Sequence, residues 1–228
     1  MSGYSIRVNP LMLPLVLPGV YAPQEDTALL AGALSEEPLP PGADVLDVGT
    51  GSGALAIEAA RRGTRVTAVD VSWRAVCTAW FNVRVAGVPV RVRRGDLFTP
   101  VQDRLYDLIL TNPPYVPAPT GARPPRGTAR AWDAGRDGRL VLDRICEQAP
   151  TLLRPGGVLL MVHSALSDPG RTLDRLRAAG LKASVTRRSR IAFGPVLRGR
   201  ERWLRRRGLL SPTDENEELV VVRAELPV

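Results

Sequence analysis

An apolar run, Tyr106–Thr111 (YDLILT), ends on Asn112-Pro113-Pro114-Tyr115. That segment can neither continue a sheet nor start a helix. Proline fixes φ and offers a carbonyl with no N–H of its own. The Asn112 side-chain oxygen and the Pro113 carbonyl can therefore both accept from one NH2 group. Pro114 stiffens the turn, and Tyr115 offers a flat face for stacking. Such a cluster suits a planar amine or amide, whose lone pair is conjugated and poorly nucleophilic. Two acceptors orient that nitrogen toward an electrophile. Alignment and proximity carry the attack, and no charged base is required for it.

A second feature lies upstream. In DVGTGSG (Asp47–Gly53), Gly49, Gly51 and Gly53 make a turn that lets backbone approach a ligand closely. It is neither the G-x-G-x-x-G of dinucleotide binders nor a phosphate loop, since no G-K-[ST] follows. Asp47 stands where a pyrophosphate would be repelled, and it suits a ligand carrying an ammonium group. Alone, the turn is equally compatible with a structural role. Asp70 closes the next apolar run and could accept both hydroxyls of a ribose, or simply cap a helix. Asp96 could accept from an adenine amino group while Leu97 packs on the ring; it could also be a turn aspartate.

The elements that must position these residues alternate along the chain. Strands are expected at 45–48, 64–70, 88–96, 106–111, 158–162, 182–190 and 219–224. Helices are expected from Ala54 to Gly63, from Ser72 to about Ala86, from about Arg139 to Leu153, and from Asp168-Pro169 to Gly180. This is an α/β pattern: a Rossmann-like doubly wound sheet with helices on both faces. In such sheets ligands sit at the carboxyl ends of the strands. The glycine turn, Asp70, Asp96 and Asn112–Tyr115 all fall at that edge, which is a stronger signal than any one motif.

Composition bounds the rest. The 228 residues are 44% hydrophobic and 24% charged, as in a soluble globule. One domain over 1–228 is expected, with residues 1–40 as an extension packed on its core. Cys77 and Cys146 have neither CxxC nor zinc spacing, so small core thiols in a reducing, cytoplasmic compartment are expected, and no metal. The apolar run at 10–20 is short and broken by Pro14 and Pro18, which reads as a packed extended segment and not a leader or membrane span. Trp73, Trp80 and Trp203 read as packing residues, and His163, the sole histidine, as a structural one. Trp132 could wall a substrate cleft or anchor its loop. The net charge of +8 is concentrated: Lys182–Arg207 nets +9 and the remainder −1. Residues 182–207 are either a solvated surface or a face for an anionic partner.

VLDVGTGSG, AVDVS, GDLF and NPPY, in this order, resemble the class I S-adenosylmethionine-dependent methyltransferases. GVYAPQEDTALL (19–30) and WDAGRDGRLVLDRI (132–145) narrow the resemblance to HemK-like protein glutamine N5-methyltransferases. The resemblance covers roughly residues 19–163. It implies a seven-stranded sheet with its last strand antiparallel. It also implies S-adenosylmethionine as cofactor and the glutamine of a release factor's Gly-Gly-Gln motif as acceptor. Thr27 and the glycine turn would hold the methionine half of the cofactor and Asp47 would face its amino group. Asp70 would bind the ribose, Asp96 and Leu97 the adenine, and Asn112, Pro113, Pro114 and Tyr115 the target amide beside Trp132. Roughly 40 residues precede the glycine motif, which is similar to the compact eukaryotic and archaeal branch that works with a small zinc-containing activator subunit. NPPY is shared with adenine-N6 methyltransferases of nucleic acids. A small metabolite or peptide natural product is the other acceptor class, and a non-catalytic cofactor-binding module is a further alternative that an intact NPPY disfavours.

Overall fold

A computed structural model describes residues 15–122 and 127–228. Seven strands form one sheet: β1 (Asp44–Val48), β2 (Arg65–Asp70), β3 (Val90–Arg94), β4 (Tyr106–Thr111), β5 (Leu153–Ser164), β6 (Lys182–Ala192) and β7 (Asn216–Glu225), in the order β3-β2-β1-β4-β5-β7-β6. Neighbours from β3 to β5 pair in parallel. The last strand in sequence, β7, is antiparallel to both β5 and β6. The strand order reverses between β1 and β4, so a crevice opens beyond their carboxyl ends.

Helices α1 (Glu25–Glu36), α2 (Ala54–Arg61) and α3 (Trp73–Ala86) follow one face; α4 (Leu142–Gln148) and α5 (Pro169–Ala178) cover the other. Alternation along the strands explains the two layers. On β5, Val158, Leu160 and Val162 pack with Leu30, Leu34 and Leu55. Leu159 and Met161, between them, pack with Leu142, Ile145 and Leu176. Leu108, Ile109 and Leu110 of β4 are fully buried between these layers. Truncating any one of them to Ala would cost about 2–5 kcal/mol.

Helix ends follow the sequence. The Ser72 hydroxyl accepts from the Ala75 N–H at 3.5 Å, and Gly87 closes α3 in the left-handed region. The Asp168 carboxylate accepts from the Arg171 N–H at 3.0 Å, ahead of Pro169. The helix expected over 139–153 is shorter. It spans α4 only and gives way to a 3-10 turn, Ala149–Leu152, where Pro150 has no N–H to continue the ladder. β5 begins early, at Leu153, and runs through Pro155-Gly156-Gly157, because Gly156 N–H donates to the Leu226 carbonyl and Leu226 N–H to the Gly157 carbonyl. Two helices escaped the sequence reading: α1, and α6 (Pro195–Arg206) between β6 and β7.

Three packing expectations are corrected. α3 buries Ala75, Thr78, Ala79, Asn82 and Val83. That turns Trp73, Cys77 and Trp80 to solvent, with Phe81 and Val85. Arg94 lies 4.8 Å over the Trp73 ring and Arg84 5.3 Å over Trp80. Cys146 is buried as expected. The apolar run at 10–20 lies outside the described residues up to 14. From Leu15 the chain is held by Asn82, whose side chain accepts from Leu15 N–H and donates to the Leu15 and Ser52 carbonyls, each at 2.8 Å. Among the described residues no helix is long and apolar enough to cross a membrane.

Candidate active site

A cavity of about 750 Å³ opens at the carboxyl edge. β1 contributes the glycine turn to its wall. Gly49 and Thr50 donate their N–H groups to the Val69 carbonyl of β2, at 2.8 and 3.0 Å. Gly49 and Gly51 line the cavity, while Gly53 does not. Gly53 has φ 85°, and a Cβ there would sit 3.2 Å from Ala79, so it serves the close packing of α2 on α3. Asp47 also stays off the wall. It is buried beneath the turn, with Oδ2 accepting from the Thr50 hydroxyl at 2.6 Å and Oδ1 unpaired. Burial raises its pKa to about 7; the Thr50 hydrogen bond opposes the rise and the nearby Asp70 charge adds to it.

β2 brings Asp70 to the wall. Its carboxylate accepts from Gly51 N–H at 3.1 Å and Ser72 N–H at 2.8 Å, so it shapes the glycine turn. Beyond β3, Asp96 lines the cavity and is ion-paired with Arg144 at 2.7 Å. Leu97 is buried beside it at φ 50°, a strained value for a branched side chain.

β4 delivers Asn112–Tyr115. The Thr111 hydroxyl donates to the Val48 carbonyl at 2.9 Å, fixing the strand end against β1. Asn112 Nδ2 donates to Thr27 Oγ1 at 3.4 Å. Thr27 donates its N–H and hydroxyl to Asp26 Oδ1, at 2.6 and 3.2 Å. The Tyr21 and Tyr115 hydroxyls donate to Asp26 Oδ2, at 2.8 and 3.0 Å. Buried Asp26 is thus a hub of four donors. Burial, reinforced by Asp26, holds both tyrosines protonated well above their ordinary range. Behind the turn the Ser167 hydroxyl donates to the Tyr115 carbonyl at 2.6 Å. Gly138, at φ 73°, passes so close that a Cβ would lie 2.3 Å from that same carbonyl oxygen. Trp132 also lines the cavity, and its carbonyl accepts from Val116 N–H at 2.8 Å, so it both walls the cleft and anchors the loop.

β6 and β7 close the site from the far side. β6 ends, and β7 begins, at the same carboxyl edge, so residues 193–215 including α6 stand over it. Phe193–Arg198 and Glu217 line the cavity. Several charges of the basic segment are spent internally: Arg187 pairs with Glu36, Arg188 with Glu218, Arg200 with Asp133 and Arg205 with Glu201. Arg200 also donates to the Pro117 carbonyl at 3.0 Å, which ties α6 to the loop after Tyr115. His163 is buried and off the wall, its Nδ1 against the Ser164 carbonyl; burial lowers its pKa to about 4 and keeps it neutral.

Residues 15–121 match the model of the methyltransferase small domain. The chain is 33% identical to the putative protein N5-glutamine methyltransferase MJ0928 of Methanocaldococcus jannaschii, over 79% of this chain and 90% of that one. This chain belongs to the protein N5-glutamine methyltransferases. The methyltransferase is also 40% identical to the release factor glutamine methyltransferase of Bordetella pertussis, over 75% of its own length but 66% of the relative's. Its fold matches that of the E. cuniculi Mtq2-Trm112 complex, solved as responsible for methylation of the eRF1 translation termination factor. There the TM-score is 0.65 at 24% identity, over 91% of this chain and 99% of that one. Asp26, Tyr21 and Glu217 of the methyltransferase escaped the sequence reading. Asp26 and Tyr21 lie inside the segment that carried the resemblance. Glu217 sits in an acidic run, TDENEE, that no local pattern assigns to a cavity.

Proposed function

We propose that this methyltransferase moves the methyl group of S-adenosylmethionine to the side-chain amide nitrogen of a glutamine, that of the Gly-Gly-Gln motif of a peptide release factor. The Thr27–Asn112 hydrogen bond carries the reading. It engages the Asn112 amide nitrogen, so the side-chain oxygen is left to accept from a substrate NH2 group alongside the Pro113 carbonyl. Both belong to the wall of a cavity that the glycine turn and Asp70 also line, with Gly49 next to Asn112 at the paired ends of β1 and β4.

The residues present fit the cofactor. Asp70 would take the ribose hydroxyls, Asp96 and Leu97 the adenine, and Thr27 with the Gly49–Gly51 backbone the methionine half. Asp47 has an unpaired oxygen beneath the turn, and an ammonium group above it would favour its charged form. S-adenosylmethionine supplies an electrophilic methyl group on a sulfonium sulfur. The chain's part is to hold the amide in line, exclude water with Trp132 and Phe193, and present acceptors to its N–H groups.

Two partner readings go with this one. α6 stands at the cavity and leaves Arg202, Arg206 and Arg207 exposed, which favours a large anionic acceptor such as a ribosome-directed protein over a free metabolite. On α3, the exposed Trp73, Trp80, Phe81 and Val85 run beside the unpaired edge of β3. An apolar helix face next to an open strand edge suits a small activator subunit that adds to the sheet. The test is methyl-labelled cofactor with release factor, release factor lacking the Gly-Gly-Gln glutamine, nucleic acid, or metabolite extract, each with and without an activator subunit. Label on the intact release factor alone is expected. Label on nucleic acid or a metabolite, with none on the release factor, rejects the reading.

A further inference from the structure

Methylating a neutral amide releases one proton, and Asn112 and Pro113 offer only neutral, weakly basic oxygens to receive it. The other polar groups on that side of the cavity are largely committed. Asp26 accepts from four donors. Tyr21 and Tyr115 are held protonated against it. Arg130 and Arg198 are cations, Glu25 is exposed, and Asp96 is paired with Arg144.

Glu217 differs. It is the second residue of β7, 6% exposed, and it lines the cavity. Its Oε1 has no hydrogen-bond partner among the described residues. A buried, unsatisfied carboxylate oxygen is costly. In a residue that lines a site obliged to shed a proton, such a carboxylate has a use.

We propose that Glu217 is the proton acceptor of the methyl transfer, a catalytic residue of this enzyme; the proposal rests on the amide-methylation reading above. The amide nitrogen's electron pair forms the new N–C bond. The donor's S–C bond breaks and its electrons stay on sulfur. The proton that nitrogen can no longer hold passes to the Glu217 carboxylate and leaves to solvent when the product departs. The groups facing Glu217 support this role. Burial raises its pKa to about 7, a Ser164 hydrogen bond from β5 opposes the rise, and the Asp26 charge from α1 adds to it. A base poised near the working pH both accepts and releases a proton readily.

The decisive variant is Glu217→Gln, which keeps volume and removes basicity. Its expected behaviour is an unchanged melting curve shape, cofactor affinity and KM within a few-fold, and kcat lower by about a hundredfold. The acid limb of the kcat–pH profile near pH 7 should vanish, and Glu217→Asp should recover part of it. Independently, carboxyl-carbon NMR of the ligand-free wild type should show the Glu217 signal titrating near pH 7. Wild-type kcat and acid limb in Glu217→Gln, a defect confined to KM, or an ordinary Glu217 titration would each overturn the proposal. Should Glu217→Gln fail to fold, the wild-type titration decides alone. A wild type that labels no release factor under any condition removes the functional reading and this proposal with it. An active wild type matched by Glu217→Gln removes only the proposal.

Discussion

Asn112 donates to Thr27 Oγ1 across 85 positions of sequence, joining the end of β4 to the first turn of α1. The bond sets which end of the Asn112 carboxamide faces the cavity. The N-terminal helix therefore shares the cavity wall with the end of β4, and in the proposed reading it serves both the acceptor and the cofactor.

Asn112→Ala is expected to abolish most turnover while leaving cofactor affinity within a few-fold, the pattern of an interaction used mainly in the transition state. Thr27→Val, which removes only the acceptor that orients Asn112, should lower kcat by a smaller factor of about ten, some 1.4 kcal/mol. Steady-state kinetics paired with calorimetry on both variants checks this. Normal turnover by Asn112→Ala would show that the acceptor cluster is not the catalytic one.

Asp70→Ala should weaken S-adenosylmethionine by about 1.5–3 kcal/mol, as expected for a charged acceptor. It should also lower the melting temperature without ligand, because the Gly51 and Ser72 N–H groups lose their shared carboxylate. Calorimetry and a thermal melt separate the two effects. A loss of ligand affinity with no change in melting would mean that the glycine turn holds its shape without Asp70.

The pH dependence of stability carries the mark of Asp47. Its folded pKa is about 7 against an ordinary 3.8. Between those values the folded chain keeps a proton that the unfolded chain has lost. Stability therefore falls as pH rises from about 4 to about 7, then levels. Asp47→Asn removes that proton site, so its melting temperature should gain on the wild type's as pH rises through the window. Glu217 contributes a slope of the same sign and His163 one of opposite sign below 6.5, but both are present in each protein and cancel in the difference. Parallel melting-versus-pH curves would show that Asp47 is not held protonated.

The basic segment makes a kinetic prediction. Arg205 is tied to Glu201, to the Ser211 carbonyl and to the Asp214 carbonyl, so reversing it would damage α6 itself. Arg202, Arg206 and Arg207 are exposed and are the positions to reverse. Changing all three to Glu should raise KM for a macromolecular acceptor several-fold and flatten its salt dependence, with little change in kcat. Exposed charges are largely screened beyond about 8–10 Å at 0.1–0.15 M salt. An unchanged KM with a flat salt response would favour a small acceptor.

Much of the site was legible without coordinates because its parts end consecutive strands. Gly49–Gly51, Asp70, Leu97 and Asn112–Tyr115 lie at or just beyond the ends of β1 to β4, and a doubly wound parallel sheet gathers such ends at one edge. Local order therefore determined which of these residues share the cavity edge. What only the tertiary structure decided was how buried groups are paired. Gly53 faces Ala79 and not the cavity, and Asp47 lies under the turn, because strand alternation sends it toward the α2 layer. Thr27, Asp26, Tyr115 and Glu217 come from α1, the loop after β4 and the start of β7. They meet because β7 inserts antiparallel between β5 and β6 and begins at the carboxyl edge. An acid in a polar run carries no local sign of that. Its burial, and with it its basicity, is set by elements nearly 200 residues apart in sequence, 26 against 217.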